Sequence, residues 1–298
     1  MPDYLSNRRA LYIESRNSAV CSLVQLDVPL VNNVSSGDMA AHLAAQHNAP
    51  WLMYQPRGYD GRLAPNEFRT AMAIRCGILP KYVDVSKVSC LCNTAGARDH
   101  KNGLSVISHA MNCTTSGFTP ANRHNAVKYA VSTVLRRYGL STTVEPNFYV
   151  YGGDVRRRPD LVVWSAPPVT TDFVISQQQG DKPGAAAKTA ADIKNKTHKK
   201  VVAEHQHVFH PFSLEAHGHV DRSAESFIAD AAARLRPHEA REFRHDILMT
   251  VSATLARSRV HALMHLIRNS VRTNNGLLDD TDPADFDAED VMAPSGAV

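Results

Sequence analysis

Hydrophobic positions divide the chain into stretches of different period. Near the N-terminus, NRRALYIESRNSAVCSLVQL has a mixed helical spacing, and SGDMAAHLAAQHNAPWLMY opens on a Ser-Gly-Asp cap. LAPNEFRTAMAIRCGILP ends on a glycine suited to a helix C-terminus. Residues 1–87 therefore read as a helical segment, with Trp51 as a packing anchor. Residues 88–122 show little regular pattern and are rich in Cys, His, Gly and Thr. From Arg123 to Tyr138 the helical period is clear: Val127, Ala130, Val131, Val134, Leu135 and Tyr138 recur at three- and four-residue steps, and Gly139 closes the helix.

Three short β-branched or aromatic runs follow, STTVEPNFYV, PDLVVW and TTDFVIS, punctuated by Gly or Pro. The Ala/Lys-rich stretch 185–204 is helical, and QHVFHPFSLEA is a further strand candidate. The predicted order over residues 123–220 is α-β-β-β-α-β, which places the chain in the α/β (α+β) class. Residues 221–278 return to helix, with one breaker at Pro237. His205, His207, His210, His217 and His219 crowd the last core strand, where alternation would put His205 and His207 on one face; they read as solvated strand-end histidines.

Composition sharpens this outline in three ways. At 298 residues and 43% hydrophobic, the chain can bury a proper core. The N-terminal stretch has no secretory apolar core, and no run approaches the roughly 18 apolar residues of a membrane span. Five cysteines without regular disulfide-like spacing fit a reducing, intracellular compartment. Cys21 and Cys76 sit in apolar helical surroundings and read as core residues. The net charge of +4 is unevenly spread, because residues 279–298 hold seven acids and no Lys or Arg. The remainder carries 33 basic against 22 acidic residues, a balance of +11 that suggests a polyanionic partner. The tail itself reads as disordered.

Two features carry chemistry. Asp160 follows Pro159 into one apolar run, Asp172 sits in the next, and a Lys-rich helix comes after. Two carboxylates on adjacent strands can hold a hard cation such as Mg²⁺, and a nearby lysine can serve an attacking water or offset phosphate charge. The competing reading is a turn Pro-Asp beside a solvated basic helix. The second feature is VSCLCNTAGARDHKNGLSVISHAMNC, which offers Cys90, Cys92, His109 and Cys113 for a tetrahedral zinc site, with His100 as a rival ligand. Three buried thiols are the alternative.

Taken in order, the C-x-C…HAMNC cluster, RHNAVKYAV…RRYGLSTTVEP, RRPDLVVW, TDFVIS, the Ala/Lys helix and FHPFSLEAHG resemble the C-terminal region of site-specific non-LTR retrotransposon reverse-transcriptase polyproteins. There a CCHC zinc-knuckle-like segment precedes a restriction-like endonuclease of the PD-(D/E)xK superfamily. The likeness covers roughly residues 5–272 and rests on order and spacing. With the periodicity and the composition of the tail, it divides the chain into five regions: a helical segment (1–87), a knuckle (88–122), a nuclease core (123–220), C-terminal helices (221–278) and the acidic tail (279–298). The chain has no polymerase signature and so resembles a fragment or domesticated piece of such a polyprotein.

The resemblance also implies roles. Asp160 and Asp172 would be the magnesium-binding carboxylates, with Mn²⁺ as a substitute metal, and Cys90, Cys92, His109 and Cys113 the structural zinc ligands. Lys194 in ADIKNKTHKK would be the catalytic lysine, with Lys188 and Lys196 as competitors, and His198 falls where the family often has a Tyr. Residues 123–138 lack the acid that relatives often carry on the first helix, and Glu145 is the candidate replacement. Arg123 and His124 match an Arg-His pair, and Arg156, Arg157 and Arg158 would hold a nucleic-acid backbone. The expected activity is Mg²⁺-dependent DNA endonuclease chemistry, with DNA or RNA as partner and the nucleus as location. The alternative is an inactive zinc-knuckle module that only binds nucleic acid.

Overall fold

In a computed structural model, residues 63–75, 79, 83, 88, 90, 92, 103–115, 117–149, 158–177 and 183–274 are described. Readings for the first 62 residues, Cys76, His100, Arg156, Arg157 and the acidic tail lie outside them. Helices and strands are mixed: α1 (Pro65–Arg75), α2 (Gly103–Asn112), α3 (Pro120–Arg137), β1 (Thr142–Val144), β2 (Leu161–Val163), β3 (Val169–Thr171), β4 (Phe173–Ser176), α4 (Ala185–Glu204), β5 (Val208–Phe209), β6 (Phe212–Glu215), α5 (Arg222–Ala232) and α6 (Pro237–Asn274). No helix among the described residues is long and apolar enough to cross a membrane.

Helix α3 starts three residues earlier than its periodicity suggested, because its start is set by local chemistry. The Asn122 side chain accepts the Thr119 N–H at 2.9 Å, and Pro120 fills the first turn, where a missing N–H costs nothing. Gly139, at φ +75°, ends it by donating to Arg136 O at 2.9 Å. The buried stripe Val127, Val131, Val134 and Leu135 then faces the sheet and α6.

The sheet order is β1-β2-β3-β5, antiparallel except for the parallel β3–β5 pair, and β4 pairs in parallel with β6. The third predicted strand is thus two short ones, broken at Asp172, and the last is broken at His210 and Pro211. Hydrogen bonding continues past both breaks, since His210 N–H donates to Thr170 O and Phe212 N–H to Asp172 O, each at 3.0 Å. The reading of residues 205 and 207 as strand positions is corrected. His205 caps α4 and His207 precedes β5, because Val202 O accepts both of their N–H groups at 3.2 Å.

Helix α4 is anchored at its start by Gly184, whose N–H donates to the buried Glu215 carboxylate at 2.9 Å. Only glycine fits there: φ is +86°, and an added Cβ would sit 2.3 Å from His219 Nε2. At the other end of the chain, the 38-residue α6 joins two cores. Phe243, Ile247, Val251 and Leu255 pack with α3, the sheet and α5. Ala256, Val260, Leu263 and Leu266 pack with α1, α2, Val88, Cys90 and Cys113. Residues 88–122 therefore contain a helix where little pattern was expected. In α2, Val106, Ile107, Ala110 and Met111 form a buried three- and four-residue stripe that its Cys- and His-rich flanks obscured.

The α1–α6 contact turns on Glu67, which is buried and lies 3.0 Å from His261 Nε2 and 3.4 Å from Arg257 Nε. Burial alone would raise its carboxyl, but His261, the Ala64 N–H and Arg257 hold it below the ordinary carboxylate value. A depressed acid contributes stability that is complete above its unfolded pKa and is lost as pH falls through the folded one. Glu67→Gln should cost about 1–3 kcal/mol at neutral pH. In urea melts, the difference from wild type should shrink as pH drops below the usual carboxylate range. A pH-independent difference would contradict the assignment.

Candidate active site and metal centre

Asp160 and Asp172 reach the same place because β2 and β3 run antiparallel, with Leu161 opposite Thr171. Asp160 immediately precedes β2 and Asp172 immediately follows β3, so both lie at one end of the sheet. The Asp160 backbone N–H donates to Thr171 O at 3.1 Å, and its Oδ2 accepts the Phe173 N–H at 2.7 Å. Both side chains are largely buried.

Each aspartate is met by a Lys/His pair from a different helix. On α4, Lys194 Nζ lies 2.6 Å and His198 Nε2 2.8 Å from Asp172 Oδ2. On α3, His124 Nε2 lies 3.0 Å from Asp160 Oδ2 and Lys128 Nζ 3.7 Å from Asp160 Oδ1. Both pairs are four residues apart, the spacing that puts side chains on one helix face. His124 Nε2 is also 3.2 Å from Phe173 O; a carbonyl only accepts, so this nitrogen carries a proton. Lys188 and Lys196 are exposed, leaving Lys194 as the lysine of α4 that meets the carboxylates.

Glu145 stands beside this group on a positive-φ residue (φ +50°), its N–H donating to Asp160 O at 2.7 Å. Its carboxylate pairs with Lys128 Nζ at 2.6 Å and with Arg158. Lys128 is only 1% exposed and was missed as a site residue. The signal was present in the sequence: a lysine within the buried stripe of α3, four residues after His124. The assignment of Arg123 to nucleic-acid binding is corrected. Arg123 is buried and donates to Met111 O at 3.1 Å, tying α3 to α2. It therefore has no surface to offer a backbone, and burial pushes its guanidinium down to about 10.

The two aspartates differ electrostatically. Burial raises Asp160, and its proximity to Asp172 adds to that, against the lowering effect of His124. Burial acts on Asp172 too, but His198, Asp160 and Lys194 outweigh it and hold Asp172 well below the usual carboxylate range. Asp160 is thus the member that protonates more readily, as expected for close buried carboxylates. Burial would lower His124, yet the Asp160 carboxylate holds it above its ordinary value.

The second cluster has a geometry that could hold a metal. The ligand atoms of Cys90, Cys92, His109 and Cys113 all lie within 4.8 Å of one another. Cys90 Sγ and Cys113 Sγ are 3.5 Å apart, as are Cys92 Sγ and His109 Nε2. Tetrahedral zinc with bonds of about 2.3 Å sets sulfurs ~3.8 Å apart, so the spacing fits with little adjustment. Three soft thiolates and an imidazole suit Zn²⁺, and burial lowers His109, favouring the neutral ring that ligates. Thr115 Oγ1 lies 3.3 Å from Cys113 Sγ and 3.6 Å from Cys90 Sγ, a hydroxyl placed to support both sulfurs. The four residues can bind a metal such as zinc. No protein-family model matches the chain, and no curated protein matches it.

Purified protein should carry about one Zn²⁺ per chain by plasma mass spectrometry, with sulfur distances near 2.3 Å by X-ray absorption. Cys113→Ser should lose the metal and loosen α2 against α6. Stoichiometric zinc in that variant would show that the metal lies elsewhere.

Proposed function

We propose that the chain is a metal-dependent DNA endonuclease with a restriction-like core of the PD-(D/E)xK type, built from α3, β1–β4, α4, β5 and β6. The zinc-knuckle segment and this core would together correspond to the C-terminal region of a non-LTR retrotransposon polyprotein. The observation that carries the reading is the convergence of Asp160, Asp172 and Lys194, with Lys194 Nζ 2.6 Å from Asp172 Oδ2. A turn Pro-Asp and a solvated basic helix, the bland alternative, would have no reason to bring a lysine against two buried carboxylates.

Asp160 and Asp172 would hold Mg²⁺ or Mn²⁺, their carboxylate oxygens being hard donors suited to either ion. When bound, such an ion activates water and stabilises the leaving oxygen of a phosphodiester. The chain's own groups do the rest. Lys194 offers its positive charge to the scissile phosphate once it turns from Asp172. His198 and His124 hold the aspartate oxygens in place, and His124 keeps its proton at Nε2. Arg158, partly exposed beside Glu145, stands where a phosphate backbone would approach. Glu145 takes the place of the acid missing from α3, and Lys128 fixes it there at 2.6 Å. DNA as substrate and a nuclear site of action belong to the same reading.

The test is cleavage of plasmid and linear DNA with Mg²⁺ or Mn²⁺. Wild type should cut and should stop in EDTA. Asp160→Asn, Asp172→Asn and Lys194→Ala should each slow cutting by about 100-fold or more, ~3 kcal/mol of barrier. DNA affinity should stay within a few-fold, because phosphate contacts elsewhere supply most of it. Lys188→Ala and Lys196→Ala should change the rate far less. Cutting that survives the double Asp variant would place the chemistry elsewhere. Tight binding without any cutting would favour the inactive module.

A further inference from the structure

At the end of β2 opposite Asp160, a group of rings has no part in the aspartate site. Trp164 follows β2 and is 42% exposed, yet its indole is fixed: Nε1–H donates to Thr143 Oγ1 at 2.8 Å. Phe148 lies against it with ring centres 5.8 Å apart, and His207 meets the indole edge-on, also at 5.8 Å. Phe148 further contacts Tyr149 at 4.5 Å and His205 at 5.9 Å. Beneath them Tyr149 is buried with its hydroxyl 2.7 Å from both Thr170 Oγ1 and His207 Nδ1. The floor is thus bonded in place while Trp164 and His205 face solvent. Burial and the neighbouring His205 both lower His207 from its ordinary value.

Such an arrangement is poorly explained by packing alone. A core would cover the indole, and a lone exposed tryptophan would not be pinned by a hydrogen bond and two further rings. Fixed aromatic faces open to solvent stack on unpaired bases, a contact that tolerates any sequence because every base has a π-face. The charges nearby favour the same ligand. Helix α4 presents Lys196, Lys199 and Lys200 to solvent at spacings that share one face, and it ends at His205. Glu204 is the one exposed acid in that last turn and a half.

We propose that Trp164, Phe148, His205 and His207 form a base-stacking subsite for single-stranded nucleic acid, whose phosphates run along Lys196, Lys199 and Lys200. The inference rests on the nuclease reading for its choice of ligand and names the state of that ligand: a strand with unpaired bases. Helix α4 links the two places. From Lys194 at the aspartates to His205 at the rings it spans ~16 Å, about five stacked nucleotides at 3.4 Å each. The subsite would therefore hold a strand at a set distance from the scissile bond and favour junctions where paired and unpaired DNA meet.

Binding is measured in EDTA, where no cutting occurs, with a twelve-residue oligothymidylate and a fully paired hairpin as probes. In a Trp51→Phe background Trp164 is the sole tryptophan, since the chain has two. Oligothymidylate should quench its fluorescence. Trp164→Ala should weaken oligothymidylate binding by on the order of 5- to 150-fold and leave the hairpin unchanged, whereas Trp164→Phe should stay near wild type. His205→Ala, which removes an exposed ring, should weaken it in the same selective way and covers the case in which Trp164→Ala does not fold. Folded variants with unchanged oligothymidylate affinity, or with equal losses for both probes, would overturn the proposal. Protein that binds through Trp164 but never cuts DNA would leave this inference standing and remove the nuclease reading. Protein that cuts normally but binds oligothymidylate without Trp164 would do the reverse.

Discussion

Two carboxylates buried at one end of a small sheet set the terms for everything around them. Taking an ion out of water costs several kcal/mol even after the protein relaxes, and a second ion of the same sign alongside makes it worse. Compensation comes from two directions at once. Helix α3 offers His124 and Lys128 toward Asp160, and α4 offers Lys194 and His198 toward Asp172. Two helices carrying the same pair of residue types four apart, in reversed order, close on the acids from both sides. Removing one lysine would leave a buried acid short of a partner, which is the destabilising event, whereas the intact set is close to neutral.

This arrangement requires the two helices to be held firmly, and the fold shows how. Helix α4 is tied at its N-terminal cap by the Gly184–Glu215 hydrogen bond. Helix α3 is tied by Arg123 to the carbonyl of Met111 in α2. Helix α2 carries His109 and packs with the cysteines of the metal cluster against α6. A zinc ion at Cys90, Cys92, His109 and Cys113 would stiffen the wall on which α3 rests. That is a positioning role, with no direct contact with the aspartates.

The sequence was informative where chemistry and period coincide. The Pro-Asp step, the Asp in the next apolar run and the Ala/Lys helix gave the position of both acids, while Lys194 and His198 came from the resemblance, with Lys188 and Lys196 left as competitors. The Cys and His spacing pointed to a metal cluster or to three buried thiols; the structure adds that His109 joins the three sulfurs, all four ligand atoms lying within 4.8 Å of one another, so that they could hold a metal. Helix α2 was hidden because its apolar stripe is only four residues long among Gly, Cys and His. Arg123 was misplaced because a charged residue at a helix start is ordinarily solvated, and only the packing of α2 onto α3 buries it. Lys128 was legible as a lysine inside the buried stripe of α3, whereas the ring cluster depends on contacts between segments far apart in sequence. No local period reports those.

The central claim is that Asp160 and Asp172 together form a seat for a divalent cation. Crystals soaked in Mn²⁺ would test it through anomalous diffraction. The account predicts one strong peak about 2.0–2.2 Å from an oxygen of each aspartate. Lys194 should be drawn off Asp172, and the peak should be absent in Asp172→Asn. A map with no density there, and the 2.6 Å Lys194–Asp172 pair intact at saturating Mn²⁺, would contradict it.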